Sequence, residues 1–67
     1  MNKIKIIWKD GSISYFCGNG RMTQFIEEAK EYKHVMVAAR SARKILQGNS
    51  LIKAVRIIDG TTEWFVY

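Results

Sequence analysis

The chain has one cysteine, Cys17, and one histidine, His34, among its 67 residues. A single cysteine excludes a disulfide within the chain, and a reducing cytoplasmic compartment is the default location for such a protein. One cysteine and one histidine also cannot complete a tetrahedral zinc site. Cys17 itself is expected to be a buried structural thiol. We therefore predict no metal and no cofactor.

Long hydrophobic runs are also missing. The longest early apolar run is Ile6-Ile7-Trp8, too short for a signal peptide, and no run approaches the roughly 20 residues that span a bilayer. The length suits a single domain, 1–67, and so small a domain buries only about 60% of its unfolded surface. With disulfides and metals excluded, self-association is the remaining aid to stability, so we predict a homodimer.

Acidic residues are scarce, six against eleven lysines and arginines, and the net charge is +5. None of the six lies between Tyr32 and Ile58. A charge of this size also serves plain solubility, but its segregation favours a polyanion or an acidic protein as partner. The cations of this window are the candidate nucleic-acid-binding residues: Lys33, Arg40, Arg43, Lys44, Lys53 and Arg56. Lys3, Lys5 and Lys9 form a second basic row.

Two stretches repeat one pattern, IIWKDGSISYFC near the start and IIDGTTEWFVY at the end. Asp-Gly between apolar runs is a strong signal for a β-hairpin with a two-residue type I′ turn. An Asp10-Gly11 turn places Ile6 opposite Tyr15 and Ile4 opposite Cys17 on one buried face. The same turn at Asp59-Gly60 makes the second hairpin apolar on both faces. It places Val55 opposite Trp64, and Arg56 opposite Glu63.

The middle of the chain carries two helical patterns out of phase with each other. After a flexible Gly18-Asn19-Gly20 connection, Thr23 is a fair N-cap for a first helix of about three turns. The apolar stripes before and after residues 32–34 lie on nearly opposite sides of a continuous helix, so we expect a break there. The second segment is a helix over about 35–47, the version we favour, or a strand over 34–39 followed by a short helix.

The predicted fold is therefore α+β. Two hairpins form an antiparallel sheet around a central helical segment, in the order ββααββ, with the helices on one face of the sheet. In the helical version of the second segment, Lys33, Arg40, Arg43 and Lys44 project from one side, opposite the apolar stripe.

No acid–base pair, nucleophile motif or nucleotide fingerprint is present, so we expect no enzyme and no small-molecule substrate. The leading hypothesis is a small accessory or regulatory protein that binds nucleic acid through its basic face with low base specificity. The alternative is a protein-interaction module, such as an inhibitor or adaptor. It would dock an acidic partner through the same cations and the outward-facing rings of Phe16, Phe65 and Tyr67.

Overall fold

The computed structural model describes residues 1–66, which form a five-stranded antiparallel sheet with one α-helix across one face. The strands lie in the order β3-β2-β1-β4-β5. Their bounds are β1 Lys3–Trp8, β2 Ile13–Gly18, β3 Arg21–Thr23, β4 Ile52–Asp59 and β5 Thr62–Val66. The helix α1 spans Val35–Gly48, and a 3-10 turn covers Ile26–Glu28. The α+β class is confirmed, but the two-helix ββααββ order is wrong.

The first hairpin has a three-residue loop, residues 9–11, in place of the predicted two-residue turn. Gly11 donates its N–H to the Trp8 carbonyl and takes φ +91°, and Asp10 Oδ1 accepts hydrogen bonds from the Ser12 N–H and hydroxyl. Ile6 therefore pairs with Ser14 and not with Tyr15. A shift of one residue turns every side chain of a strand to the other face, so the predicted face assignment of β2 was wrong.

The second hairpin turns at Gly60-Thr61, because Asp59 pairs with Thr62. Gly60 takes φ +61°, as the first central residue of a type II′ turn requires. Val55 now pairs with Val66, two residues beyond the expected partner. A shift of two leaves the side chains on their original faces, so the predicted faces of this hairpin are confirmed although its register was wrong.

The predicted first helix is wrong, because residues 24–33 form no α-helix, and the residues before them, 18–23, form a tight hairpin. Asn19 and Gly20 have φ of +53° and +72°, the pair of positive values that a type I′ turn needs, and Gly18 pairs with Arg21. Thr23 ends β3 and caps the following loop, since its hydroxyl oxygen accepts the Phe25 N–H. Only the 3-10 turn in residues 26–28 is helical before the break.

The second segment is the helix α1, which confirms the favoured interpretation and rules out a strand over 34–39. Alanine, arginine, lysine and leucine, all strong helix formers, dominate it. Ala38 and Ala42 are fully buried and bring α1 close to the sheet, while Ile45 and Leu46 pack beside them. The helix ends at Gly48, as the Gly-Asn-Ser stop predicts.

The core lies between α1 and the two central strands. Ile4 and Ile6 of β1 and Val55 and Ile57 of β4 are its largest fully buried side chains. Within residues 1–66, no helix is long and apolar enough to cross a membrane. The opposite side of the sheet, here called the open face, carries Lys5, Tyr15 and Arg56, which the strand pairing aligns.

Candidate nucleic-acid interface

The outer face of α1 carries three exposed cations. Arg43 and Lys44 follow Arg40 by three and four residues, which places both of them about one turn further along α1, roughly 4.5 and 6 Å from Arg40 along the helix axis. They face away from the sheet because Ala38 and Ala42 occupy the buried side. In the described part of the chain, no ion pair involves any of the three. These three cations are called the basic ridge below.

Lys33 lies next to α1 but outside it. It is exposed in the bend before His34, the N-cap residue, whose backbone is extended. Three of the six candidate cations therefore lie together on one helix face, and Lys33 lies beside the start of that helix.

A shallow groove of 380 Å³ runs along one side of the ridge, between α1 and the turn that joins β2 to β3. Lys44 and Ser41 line it from the helix, and Asn19 lines it from the turn. Lys30 lines its floor, with Nζ 5.2 Å from the centroid of the Tyr32 ring. The groove adds a cation and several polar groups beside the ridge. Lys30 was not a candidate in the sequence, because nothing there indicated that residues 18–23 fold back beside α1.

The acidic side chains that form ion pairs do so elsewhere. Glu63 accepts hydrogen bonds from Lys5 and Arg56 on the open face, at 2.9 and 3.1 Å, and Asp59 pairs with the terminal amine at 3.2 Å. Glu28 accepts a hydrogen bond from the Thr23 hydroxyl. The positive field of the basic ridge is therefore not neutralised by these carboxylates.

The other two candidate cations are separated from the ridge. Arg56 lies on the open face, where its guanidinium is bound to Glu63 and lies 4.6 Å from the Phe65 ring centroid. Lys53 is exposed at a bulge in β4, between the pairs Ile7 with Ala54 and Trp8 with Ile52. Arg56 therefore does not belong to the surface that the sequence placed it on.

The aromatic residues proposed for partner binding are also separated. Phe65 is 81% exposed on the open face. Phe16 packs against the core, because the register shift in the first hairpin turns it toward α1, so its predicted outward orientation was wrong. Tyr67 lies outside the described residues.

Cys17 is partly exposed and belongs to the open-face positions of β2, so its predicted burial in the core was wrong for the same reason. His34 is exposed at the start of α1, on the helix side of the sheet. No group of three or more histidine, cysteine, aspartate or glutamate side chains in residues 1–66 is arranged to hold a metal ion.

Comparison of the chain with protein-family models, with curated proteins and with solved structures gave no match.

Proposed function

We propose that this protein binds nucleic acid through the basic ridge of α1 and acts as a non-enzymatic accessory or regulatory factor. The observation that supports this proposal is the exposure of Arg40, Arg43 and Lys44 on one helix face, where no carboxylate of residues 1–66 is bound to them. Each phosphate that such a cation contacts releases counterions, which supplies sequence-independent affinity. The groove lysine, Lys30, adds a fourth cation to this surface, and Lys33 adds positive charge near the start of the helix.

Low base specificity follows from the chemistry of the ridge. Lysine and arginine on an exposed helix face bind phosphates, which are the same along the whole strand, and phosphate contacts carry no sequence information directly. The uncharged polar side chains near the ridge are few: Gln47 on the outer side of α1, and Ser41 and Asn19 in the groove. They provide little direct base discrimination compared with the three charges beside them.

The test is a fluorescence anisotropy titration against a labelled duplex and a labelled single strand at two salt concentrations. A variant with Arg40→Gln, Arg43→Gln and Lys44→Gln loses up to three phosphate contacts, which reduces the slope of log K against log salt by about 2.7 for a duplex. The matched control is Lys3→Gln, Lys9→Gln and Lys53→Gln. It removes the same charge away from the ridge and leaves the bridge from Lys5 to Glu63 in place.

The outcomes distinguish binding through the basic ridge from binding that depends only on the net charge of the protein. We expect the ridge variant to bind weakly with a shallow salt slope and the control to bind nearly as the unmodified chain does. Equal losses in both variants would show that net charge alone drives binding, and absence of binding by the unmodified chain at low salt would overturn the proposal. Circular dichroism of each variant confirms that the fold is retained.

The exposed Phe65 ring favours the alternative function, docking of an acidic protein. The two functions make different predictions for Phe65→Ala. The ring lies on the open face, away from the basic ridge, so its removal leaves oligonucleotide affinity unchanged if the ridge binds nucleic acid. A protein partner that covers Phe65 loses affinity instead, because a large exposed aromatic is the typical anchor of such an interface.

A further inference from the structure

The two edges of the sheet differ in how they are protected from pairing with another strand. The strand at one edge, β3, is only three residues long and carries Arg21. Its pairing with β2 is irregular between Phe16 and Gly18. Short length, bulges and charge are the usual devices that blunt a sheet edge. The β5 edge has five residues, contains neither lysine nor proline, and exposes Trp64 and Phe65. Its one charge, Glu63, is already bound by Lys5 and Arg56 on the open face. One edge is blunted and the other is open.

An apolar groove of 680 Å³ lies directly beside the open edge, between β5 and the first half of α1. Met36 is 69% exposed and Val35 is 43% exposed on its helix wall, and Trp64 forms its strand wall. Ile57 and Val66 line its floor. The exposed edge of β5 therefore lies next to an exposed apolar groove. In sites that bind an added strand, such an edge pairs with the backbone of the new strand and such a groove receives its side chains.

We infer that a second copy of this chain occupies this site, with β5 of each copy pairing antiparallel about a two-fold axis. Such an interface is isologous, so the same residues must complement themselves. Pairing about the middle of β5 brings the two Trp64 side chains next to each other on the helix side. It joins the two sheets into one of ten strands.

The charges around the groove favour a copy of the chain over a partner of one sign. Lys33 and Asp59 both line the groove, and Glu63 lies on the adjoining strand. A strongly acidic partner would meet Asp59 and Glu63, and a basic partner would meet Lys33. The matching surface of a second copy has the same mixture of charges, so it presents no excess of either sign to this groove.

The exposed apolar area reaches the lower limit for a dimer. Taking roughly 200 Å² for a whole aromatic or methionine side chain and less for valine, the exposed parts of these side chains total on the order of 450 Å² per copy. The side chains are Val35 and Met36 on the groove, and Trp64 and Phe65 on the two faces of β5. With the backbone of the two paired strands, two copies bury roughly 1,000 Å², the lower limit for a specific interface.

The experiment is sedimentation velocity from low micromolar to hundreds of micromolar protein. We expect the mass to rise from 7.8 kDa toward twice that value. Trp64→Lys and, separately, Met36→Lys place an ammonium in the apolar interface, and each should shift the dissociation constant upward by at least tenfold. Both side chains are exposed in the single copy, so neither substitution removes a core residue.

Ile13→Lys is the matched control. Ile13 is 43% exposed, against 42% for Trp64, but it lies in β2 on the open face, away from both β5 and the groove. The control should dimerise normally. A monomer at every concentration would overturn the inference, and so would a dimer that persists in both groove variants. A dimer that Ile13→Lys alone dissociates would place the interface on the open face instead, and would likewise overturn it.

Discussion

Lys5 and Glu63 are bound to each other across an intervening strand. The Lys5 ammonium lies 2.9 Å from Oε1 of Glu63, although β4 separates their strands β1 and β5. Arg56 of that middle strand binds the other carboxylate oxygen at 3.1 Å. The hydrogen bond from Lys5, followed by that from Arg56, holds the pKa of Glu63 below its ordinary value of 4.5. Three strands are therefore connected by one carboxylate on the open face.

This connection predicts a loss of stability in acid. Because the folded pKa is below the unfolded value, ionised Glu63 contributes its full stability above pH 4.5, and this contribution disappears as the pH falls through the folded pKa. Glu63→Gln should lower the free energy of unfolding at neutral pH and reduce its fall in acid. Urea unfolding at a series of pH values measures both effects.

Glu27→Gln is the control for this titration, since Glu27 is exposed and none of the ion pairs within residues 1–66 includes it. Some acid sensitivity will remain in the Glu63 variant, because hydrogen bonds from Ser12 also lower the pKa of Asp10. If the free energy of unfolding of Glu63→Gln falls in acid as steeply as that of the unmodified chain, the bridge from Lys5 and Arg56 to Glu63 contributes nothing to folding.

Two glycine substitutions should have opposite signs. Gly20 has φ +72° in its turn, so Gly20→Ala forces an L-residue into the left-handed region at a cost of about 1 kcal/mol. Gly48 closes α1, and the structure leaves open space around a Cβ at both positions. Gly48→Ala should therefore stabilise the protein by about 0.5 kcal/mol through backbone entropy. Thermal unfolding of the two variants compares them, and equal shifts would contradict the turn assignment.

The close approach of α1 to the sheet depends on alanine. Ala42 is fully buried against the core, so Ala42→Leu overfills the space and should destabilise the fold by about 1–3 kcal/mol. Gln47→Leu introduces the same leucine on the exposed side of α1, where it overfills nothing, and should change stability by less than about 0.5 kcal/mol. Denaturant unfolding tests this pair, and a tolerated Ala42→Leu would mean that the helix packs more loosely than described.

The two proposed associations should respond to salt in opposite directions. Raising salt from about 50 to about 200 mM weakens nucleic-acid binding through counterion release. The same change should strengthen pairing of two copies that each carry a net charge of +5, because it screens their repulsion while the apolar contact remains. Anisotropy and sedimentation on one protein preparation give both trends. If salt changed both affinities in the same direction, either the electrostatic account of nucleic-acid binding or the apolar account of dimerisation would be wrong.

The errors in predicting the sheet came from turns that differ by one residue. Asp10-Gly11 was expected to close a two-residue loop, but Asp10 binds Ser12 and Gly11 follows as a third loop residue. That offset turned β2 over and moved Phe16 and Cys17 to the wrong sides. At Gly60 the offset changed the strand register by two residues. Such a change leaves every side chain on the same face, so the alternation of apolar residues gives no sign of it. Hydrophobic alternation therefore predicted the correct faces in the second hairpin, where the register moved by an even number of residues, and the wrong faces of β2, where it moved by one.

The missed strand β3 has a local cause. Asn19-Gly20 is itself a type I′ signal, but the apolar residues after it, from Met22 onward, also match a helical spacing. Tertiary pairing with β2 decided between the two. The helix α1 was predictable because its apolar stripe and its end signal agree. That agreement also explains why the exposure of Arg40, Arg43 and Lys44 followed from sequence, whereas Arg56, whose location depends on sheet pairing, did not group with them.

The connection between β3 and α1 is held to the sheet by backbone hydrogen bonds at two points near its end, and the stretch ahead of them is exposed. Lys30 donates its N–H to the Phe16 carbonyl at 2.9 Å, and Asn2 and Tyr32 exchange backbone hydrogen bonds at 2.9 and 2.7 Å. Residues 24–28, ahead of these points, expose every side chain. This stretch can therefore open as an independent unit, and its amides should exchange with deuterium long before those of the strands on either side of it.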